Sequence, residues 1–153
     1  KNQNRIIIGG ERPSTTKLRQ VYSLAFPNAK IVKTGSITAE MVKYFTNTFL
    51  ATKVSFANEM KQICDGLNID YDKVVEYSTY DERLGKSHWA VPGPDGKLGF
   101  GGSCFPKDLN ALIHLARNLE TSLNTIGGAW DTNLDVRPEE DWKELKGRAV
   151  VDE

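Results

Sequence analysis

Three glycines lead into Cys104, and a helix is expected to begin only after it: Gly99-Phe100-Gly101-Gly102-Ser103-Cys104-Phe105-Pro106-Lys107-Asp108. Pro106 suits a first helical position, because its fixed φ fits and its missing N–H has no partner there. Leu109, Leu112, Ile113, Ala116 and Leu119 then recur at helical spacing. The thiol is therefore expected where unpaired backbone N–H groups and the positive end of the helix dipole point outward. That location favours the thiolate, the nucleophilic form of cysteine. Lys107 adds positive charge nearby, and the glycines let a substrate or cofactor approach the backbone. A free cysteine is most often buried, and Cys64, inside a helical pattern with no glycine beside it, reads that way. For Cys104 the glycines, the helix start and the Lys107-Asp108 pair point to chemistry instead.

The elements that must position this thiol can be read in order. Arg5-Ile6-Ile7-Ile8 is a short β-branched run, a buried strand ending at Gly9-Gly10. Ser14 or Thr15 is expected to cap a helix reaching about Phe26, with Leu18, Val21, Tyr22 and Ala25 on one side. Lys30–Lys33 is a second strand. Strand, helix and strand look like the end of an α/β layer, and two strands need partners from another segment or chain. The longest element runs from Thr38, a plausible N-cap, to Asp65, with Gly66 as its C′ residue. Val42, Phe45, Phe49, Phe56, Met60, Ile63 and Leu67 form its apolar stripe, interrupted by Lys53 and widened by Leu50, Val54 and Ala57. So broad a face predicts burial on two sides, as in a central or dimer-interface helix. Lys43 and Asn47 lie one turn apart beside that stripe; alone, such a pair is usually a solvated edge.

A short helix is expected over Ile69–Glu76, with Asp70 as cap, then a polar turn at Tyr80–Gly85 and a loop over 86–97 that delivers the chain to Cys104. After Leu119 the pattern weakens. Gly127-Gly128 is expected to break it, Trp130–Arg137 to be irregular, Pro138–Trp142 to start a short acidic-first helix, and Arg148–Val151 to form a last strand.

Composition sets bounds. The 153 residues suffice for one compact domain, and 20 basic residues balance 20 acidic ones. Zero net charge argues against a general nucleic-acid or membrane-surface binder. No apolar run is long enough to span a bilayer, and no signal-peptide pattern opens the chain. Two distant cysteines suggest a reducing cytoplasm, and the absence of C-x-x-C, with only His88 and His114, argues against a metal site. His88 is placed in a polar loop and His114 on the solvent side of its helix. The chain begins with Lys1, which reads as a piece of something longer.

Thr38-Ala39-Glu40-Met41-Val42-Lys43-Tyr44, then Asn47, Phe56-Ala57-Asn58-Glu59, Asp81-Glu82-Arg83-Leu84-Gly85 and the block from Gly99 to Asp108 resemble, in order and spacing, the UDP-glucose/GDP-mannose dehydrogenase family. The resemblance covers roughly residues 5–119, and the Cys104 block is its most specific part. It implies a mainly α chain: a helical dimerisation core around one long central helix, preceded by the terminal strand-helix-strand of a Rossmann domain. Residues 1–33 would be the remnant of the NAD-binding domain and 34–124 the central helical domain. Residues 125–153 would be a tail, faintly like the family's C-terminal helix and strand over 141–152. No G-x-G-x-x-G follows a strand.

Such enzymes oxidise a sugar's C6 alcohol to a carboxylate in two hydride transfers to NAD, through a cysteine hemithioacetal and thioester. By resemblance Cys104 is the nucleophile, Lys43 and Asn47 hold the reacting oxygen, and Asp108 positions or activates water. Leu98, Gly99, Phe100, Gly101 and Gly102 contact the sugar and phosphates. Arg83 reaches a neighbouring subunit's site, and Lys107 lies near the cofactor. The expected partners are a nucleotide sugar, UDP-glucose first, with GDP-mannose and UDP-N-acetylmannosamine as rivals, and a second copy of the chain through the long helix. With most of the NAD site absent, these residues alone should not turn over. A dimerisation module without activity is the alternative.

Overall fold

The computed structural model describes residues 4–145 and Gly147. It is mainly α-helical, and its described residues fall into two compact units that divide between Thr46 and Asn47. The first unit opens with a strand, a helix and a second strand. Strand β1 (Arg5–Gly9) and strand β2 (Lys30–Thr34) pair in parallel, Arg5 opposite Lys30 and Gly9 opposite Thr34, joined by helix α1 (Ser14–Ala25). Ile8 is buried.

Neither Ser14 nor Thr15 caps α1. Ser14 is already helical, Pro13 precedes it, and no side chain caps the helix; backbone bonds from Thr15 to Glu11 and from Thr16 and Lys17 to Pro13 close the first turn. Leu18, Val21 and Tyr22 stay exposed, since two strands offer too little surface to cover them.

Helix α2 (Ser36–Gly66) starts in the first unit and ends in the second. Thr38 is not its cap: the chain enters α2 directly from β2, and the Ala39 N–H already bonds the Gly35 carbonyl at 3.0 Å. Nor is Gly66 the left-handed residue at the other end. Asn68 takes that role at φ 55°, with Ile69 N–H on the Cys64 carbonyl and Asn68 N–H on Asp65, a Schellman closure.

The buried side of α2 is not the expected aromatic stripe. Thr48, Ala51, Ser55, Ala57, Asn58 and Cys64 face inward, whereas Phe49, Phe56 and Ile63 remain 62%, 51% and 53% exposed. Small side chains let other backbone come close: the Ser55 hydroxyl donates to the Ala129 carbonyl at 2.6 Å.

Helix α3 (Tyr71–Ser78) begins later than expected, but Asp70 does cap it, accepting from the N–H groups of Asp72 and Lys73. Its Tyr71 packs with Ala57, Cys64 and Val91 in one cluster of the second unit's core. The Tyr71 hydroxyl donates to the Trp89 carbonyl at 2.7 Å. Burial, with the nearby charge of Asp72, pushes the Tyr71 phenol up to about 12. A 3-10 turn follows at Glu82–Leu84, capped by Asp81, and residues 86–97 form no helix or strand.

Helices α4 (Cys104–Asn118) and α5 (Asn124–Val136) pack on each other. Around them lies the second core cluster, Ala51, Phe100 and Leu109, with Val54, Phe105, Ile126 and Trp130 against it. Helix α5 overturns the expectation of a break at Gly127-Gly128 and irregular chain to Arg137. Each glycine costs about 1 kcal/mol in a helix, but Ala129 and Asn133 are buried and Trp130 stacks near both Phe100 and Trp142. Packing outweighs propensity here. The acidic-first helix after Pro138 is only a 3-10 turn, Asp141–Glu144. The strand expected over Arg148–Val151 lies outside the described residues.

Candidate active site

Cys104 is the first residue of α4 and is exposed; Cys64 is buried. The helix starts two residues earlier than Pro106 would set it, so Pro106 is the third helical residue and is buried. It is still tolerated, because N–H groups of the first turn have no intrahelical acceptor.

One turn along α4, Asp108 is fully buried. An unpaired carboxylate there would be costly. Asn47 of α2 donates from Nδ2 to Asp108 Oδ2 at 2.6 Å, and Lys107 forms an ion pair with Asp108 Oδ1. The structure thus brings Asn47, Lys107 and Asp108 together and sets Cys104 one turn before Lys107 and Asp108 on α4. Lys43 lies a turn before Asn47 on α2, within the first unit, its Nζ 6.0 Å from the Tyr44 ring centre.

The run from Leu98 to Gly102 owes its shape to side chains from elsewhere in the second unit. Gly99 N–H donates to Asn58 Oδ1 at 3.2 Å. Phe100 N–H donates to Asn133 Oδ1 at 2.7 Å, and Asn133 Nδ2 donates back to the Phe100 carbonyl at 3.1 Å. Arg137 Nη1 donates to the Leu98 carbonyl at 3.3 Å. Gly99 sits at φ +64°, and a Cβ there would fall 2.4 Å from Asn133 Oδ1, so only glycine fits.

Gly99 to Gly102 line an open cleft of about 480 Å³ with Val54, Ser87, His88, Pro94, Asp95 and Phe105; Leu98, Asn47, Cys104 and Asp108 are not among its lining residues. His88 sits 5.9 Å from the Phe105 ring, and burial, with the charge of Lys53, holds its imidazole below the usual histidine range. Lys53, the polar interruption of the α2 stripe, donates to the Leu84 carbonyl at 2.8 Å and lies 4.2 Å from the Trp89 ring centre. Arg83 is not in the cleft lining; it is exposed and bonds Asp81 in its own turn. His114 is exposed on α4. Among the described residues no group of three His, Cys, Asp or Glu could hold a metal, and no helix is long and apolar enough to cross a membrane.

Sequence reasoning missed Asn58, Asn133 and Arg137 as supports of the glycine run. Asn133 and Arg137 share the one-turn spacing of Lys43 and Asn47, a signal hidden by reading that stretch as irregular.

Residues 37–135 match the family model described as the UDP-glucose/GDP-mannose dehydrogenase family, central domain. The chain belongs to this family. Among relatives of this dehydrogenase-family chain, UDP-glucose 6-dehydrogenase TuaD of Bacillus subtilis is 35% identical over 136 residues, 89% of this chain and 28% of that protein. UDP-glucose 6-dehydrogenase AglM of Haloferax volcanii is 39% identical over 125 residues, 82% of this chain and 28% of its own length. The solved UDP-glucose dehydrogenase of Pyrobaculum islandicum superposes with a TM-score of 0.77 at 35% identity, over 85% of this chain and 29% of that one. The chain therefore spans less than a third of the length of these relatives.

UDP-glucose dehydrogenases use NAD in general, but among the described residues the one turn between β1 and α1 does not fit a dinucleotide. The turn after β1 reads Gly9-Gly10-Glu11-Arg12-Pro13, without the G-x-G-x-x-G pattern. Gly9 makes room for protein rather than for phosphate: a Cβ on it would lie 2.6 Å from Ala39 Cβ.

Proposed function

We propose that this chain is the central part of an NAD-dependent nucleotide-sugar dehydrogenase, carrying the covalent half of the oxidation of UDP-glucose to UDP-glucuronate. The observation that carries the reading is the bond between Asn47 and the buried Asp108, one helical turn from the exposed Cys104.

The chain's own residues serve the two steps that flank oxidation to the thioester. In the first, the Cys104 thiolate adds to the C6 aldehyde carbon. A C–S bond forms and the carbonyl electron pair moves to oxygen, where the Asn47 amide and the Lys43 ammonium stabilise the charge. In the second, water attacks the thioester carbon, the C–S bond breaks, and the thiolate and the sugar carboxylate are released. Asp108 orients that water and takes up one of its two protons, and the second passes to solvent. The loop from Leu98 to Gly102 receives the nucleotide sugar, Arg83 serves a neighbouring subunit's site, and Lys107 lies towards the cofactor. The hydride steps need an NAD site that these residues do not supply, so residues 1–153 alone are inactive. In this reading 1–33 is the end of the NAD-binding domain, 34–124 the catalytic and dimer-forming domain, and 125–153 a tail.

A second reading, a dimer-forming module without catalysis, is favoured by the exposed Phe49, Phe56 and Ile63 on α2. Both share the homodimer through α2 and a cytoplasmic setting. The test is titration with NAD and UDP-glucose, followed at the NADH absorbance band, with and without a family Rossmann domain supplied in trans. NADH formation only with the added domain supports the enzyme; none under either condition leaves the assembly module. A Cys104→Ser variant should then form no acid while still passing one hydride. Normal acid formation by that variant overturns the nucleophile.

A further inference from the structure

Among the described residues, Arg137 is one of the largest side chains sealed inside the second unit, 2% exposed. It lies just past the end of the family match at residue 135. Its guanidinium donates through all three of its nitrogens. Nε and Nη2 donate to the Asp141 carboxylate at 3.0 and 2.7 Å, Nη2 also to Asp95 Oδ2 at 2.8 Å, and Nη1 to the Leu98 carbonyl. Gly101 packs directly on it: a Cβ there would lie 2.5 Å from Nη2. Lys97 doubles the connection, reaching Asp141 at 3.0 Å and Glu139 at 3.3 Å. Two segments distant in sequence, 95–101 and 137–141, are thus fastened through one planar cation. A bidentate guanidinium fixes orientation as well as distance, which a lysine ammonium does not.

Arg137 is almost wholly buried and is not among the residues lining the cleft. It does fix two of the loop's positions, the Leu98 carbonyl and the approach of Gly101. We propose that Arg137, held by Asp141, is a positioning residue that sets the glycine loop in the shape that takes a nucleotide sugar. This rests on the nucleotide-sugar reading above. It also makes the segment after the family match a working part of the cleft.

The test compares the full chain with Arg137→Lys, Arg137→Gln and Asp141→Asn in two measurements. The first is amide hydrogen exchange of residues 98–102, with α3 as an internal reference in the same unit. The second is UDP-glucose binding by calorimetry. Freeing the loop should speed its exchange about tenfold or more while α3 stays protected, as local opening does. UDP-glucose should bind about tenfold more weakly in Arg137→Gln and Asp141→Asn. Arg137→Lys, which keeps charge but not the fork, should bind between these and the parent. Unchanged loop exchange overturns the proposal, as does an equal rise in α3, which marks general loosening. If Arg137 variants fail to fold, Asp141→Asn decides, because that carboxylate is partly solvated and its loss leaves Arg137 with Asp95. If the parent chain binds no UDP-glucose, the substrate reading fails, and loop exchange still decides the positioning role.

Discussion

Asn47 Nδ2 and Asp108 Oδ2 stand 2.6 Å apart, a side-chain bond between α2 and the first turns of α4 that spans 61 residues of sequence. It gives a carboxylate with no solvent exposure one of its hydrogen-bond donors. Removing that donor is therefore expected to cost more than an ordinary surface hydrogen bond.

Asn47→Ala should lower unfolding stability by about 2–3 kcal/mol, the usual worth of a bond to a charged group in a buried site. Asn47→Asp should be worse, since it sets a second carboxylate against Asp108. Urea denaturation of the three proteins checks both; a loss below about 0.5 kcal/mol for Asn47→Ala would place that bond among the energetically idle surface contacts.

Much of this arrangement was legible in the sequence, and what was not has a common cause. Asp70 as a cap, Cys64 as a core thiol and Cys104 at a helix start all depend on near neighbours in the chain, and the structure bears them out. Thr38 and Gly66 were misread because each end of α2 closes on a residue slightly beyond: at Gly35, straight after a strand, and at Asn68. The helix through Gly127-Gly128 and the supports of the glycine run were invisible because they depend on partners far away in sequence. Asn133 reaches Phe100, and Ser55 reaches Ala129. The α2 stripe was read correctly as a periodic apolar surface. Phe45, Phe49, Phe56 and Ile63 nevertheless face outward, while Val54 and Met60 join the small residues in the internal packing.

The two thiols should react on different schedules. Iodoacetamide should label Cys104 in the native chain and leave Cys64 untouched, because only the first is exposed. In denaturant both should be labelled. Peptide mass spectrometry reads the sites, and native labelling of Cys64 at the rate of Cys104 would contradict the burial.

The outward aromatic face of α2 should hold two copies of the chain together. Phe49→Glu with Phe56→Glu is expected to turn a dimer into a monomer in sedimentation, with little loss of helical circular dichroism. A parent chain that sediments as a monomer, or a double variant that still pairs, would exclude this face as the contact.

Acid should loosen the Arg137 cluster. Hydrogen bonds from Arg137 hold the Asp141 carboxyl at about 2, well below its ordinary value, and the same guanidinium lowers Asp95. A carboxylate with a depressed value stabilises the fold at pH above its unfolded value. That contribution is lost as pH falls through the folded one. Stability should therefore be flat down to about pH 4 and then drop by about 1–2 kcal/mol towards pH 2 from Asp141, after discounting for partial solvation. Asp141→Asn should flatten that drop, which chemical denaturation across the pH series would detect.

The stretch from Leu98 to Gly102 bonds to Asn58, Asn133 and Arg137 rather than to a neighbouring strand. A peptide copied from it and grafted onto a foreign scaffold would arrive without its moulds. Any designer wishing to borrow this cradle must carry over three anchors scattered across some eighty positions of chain, counted from Asn58 to Arg137.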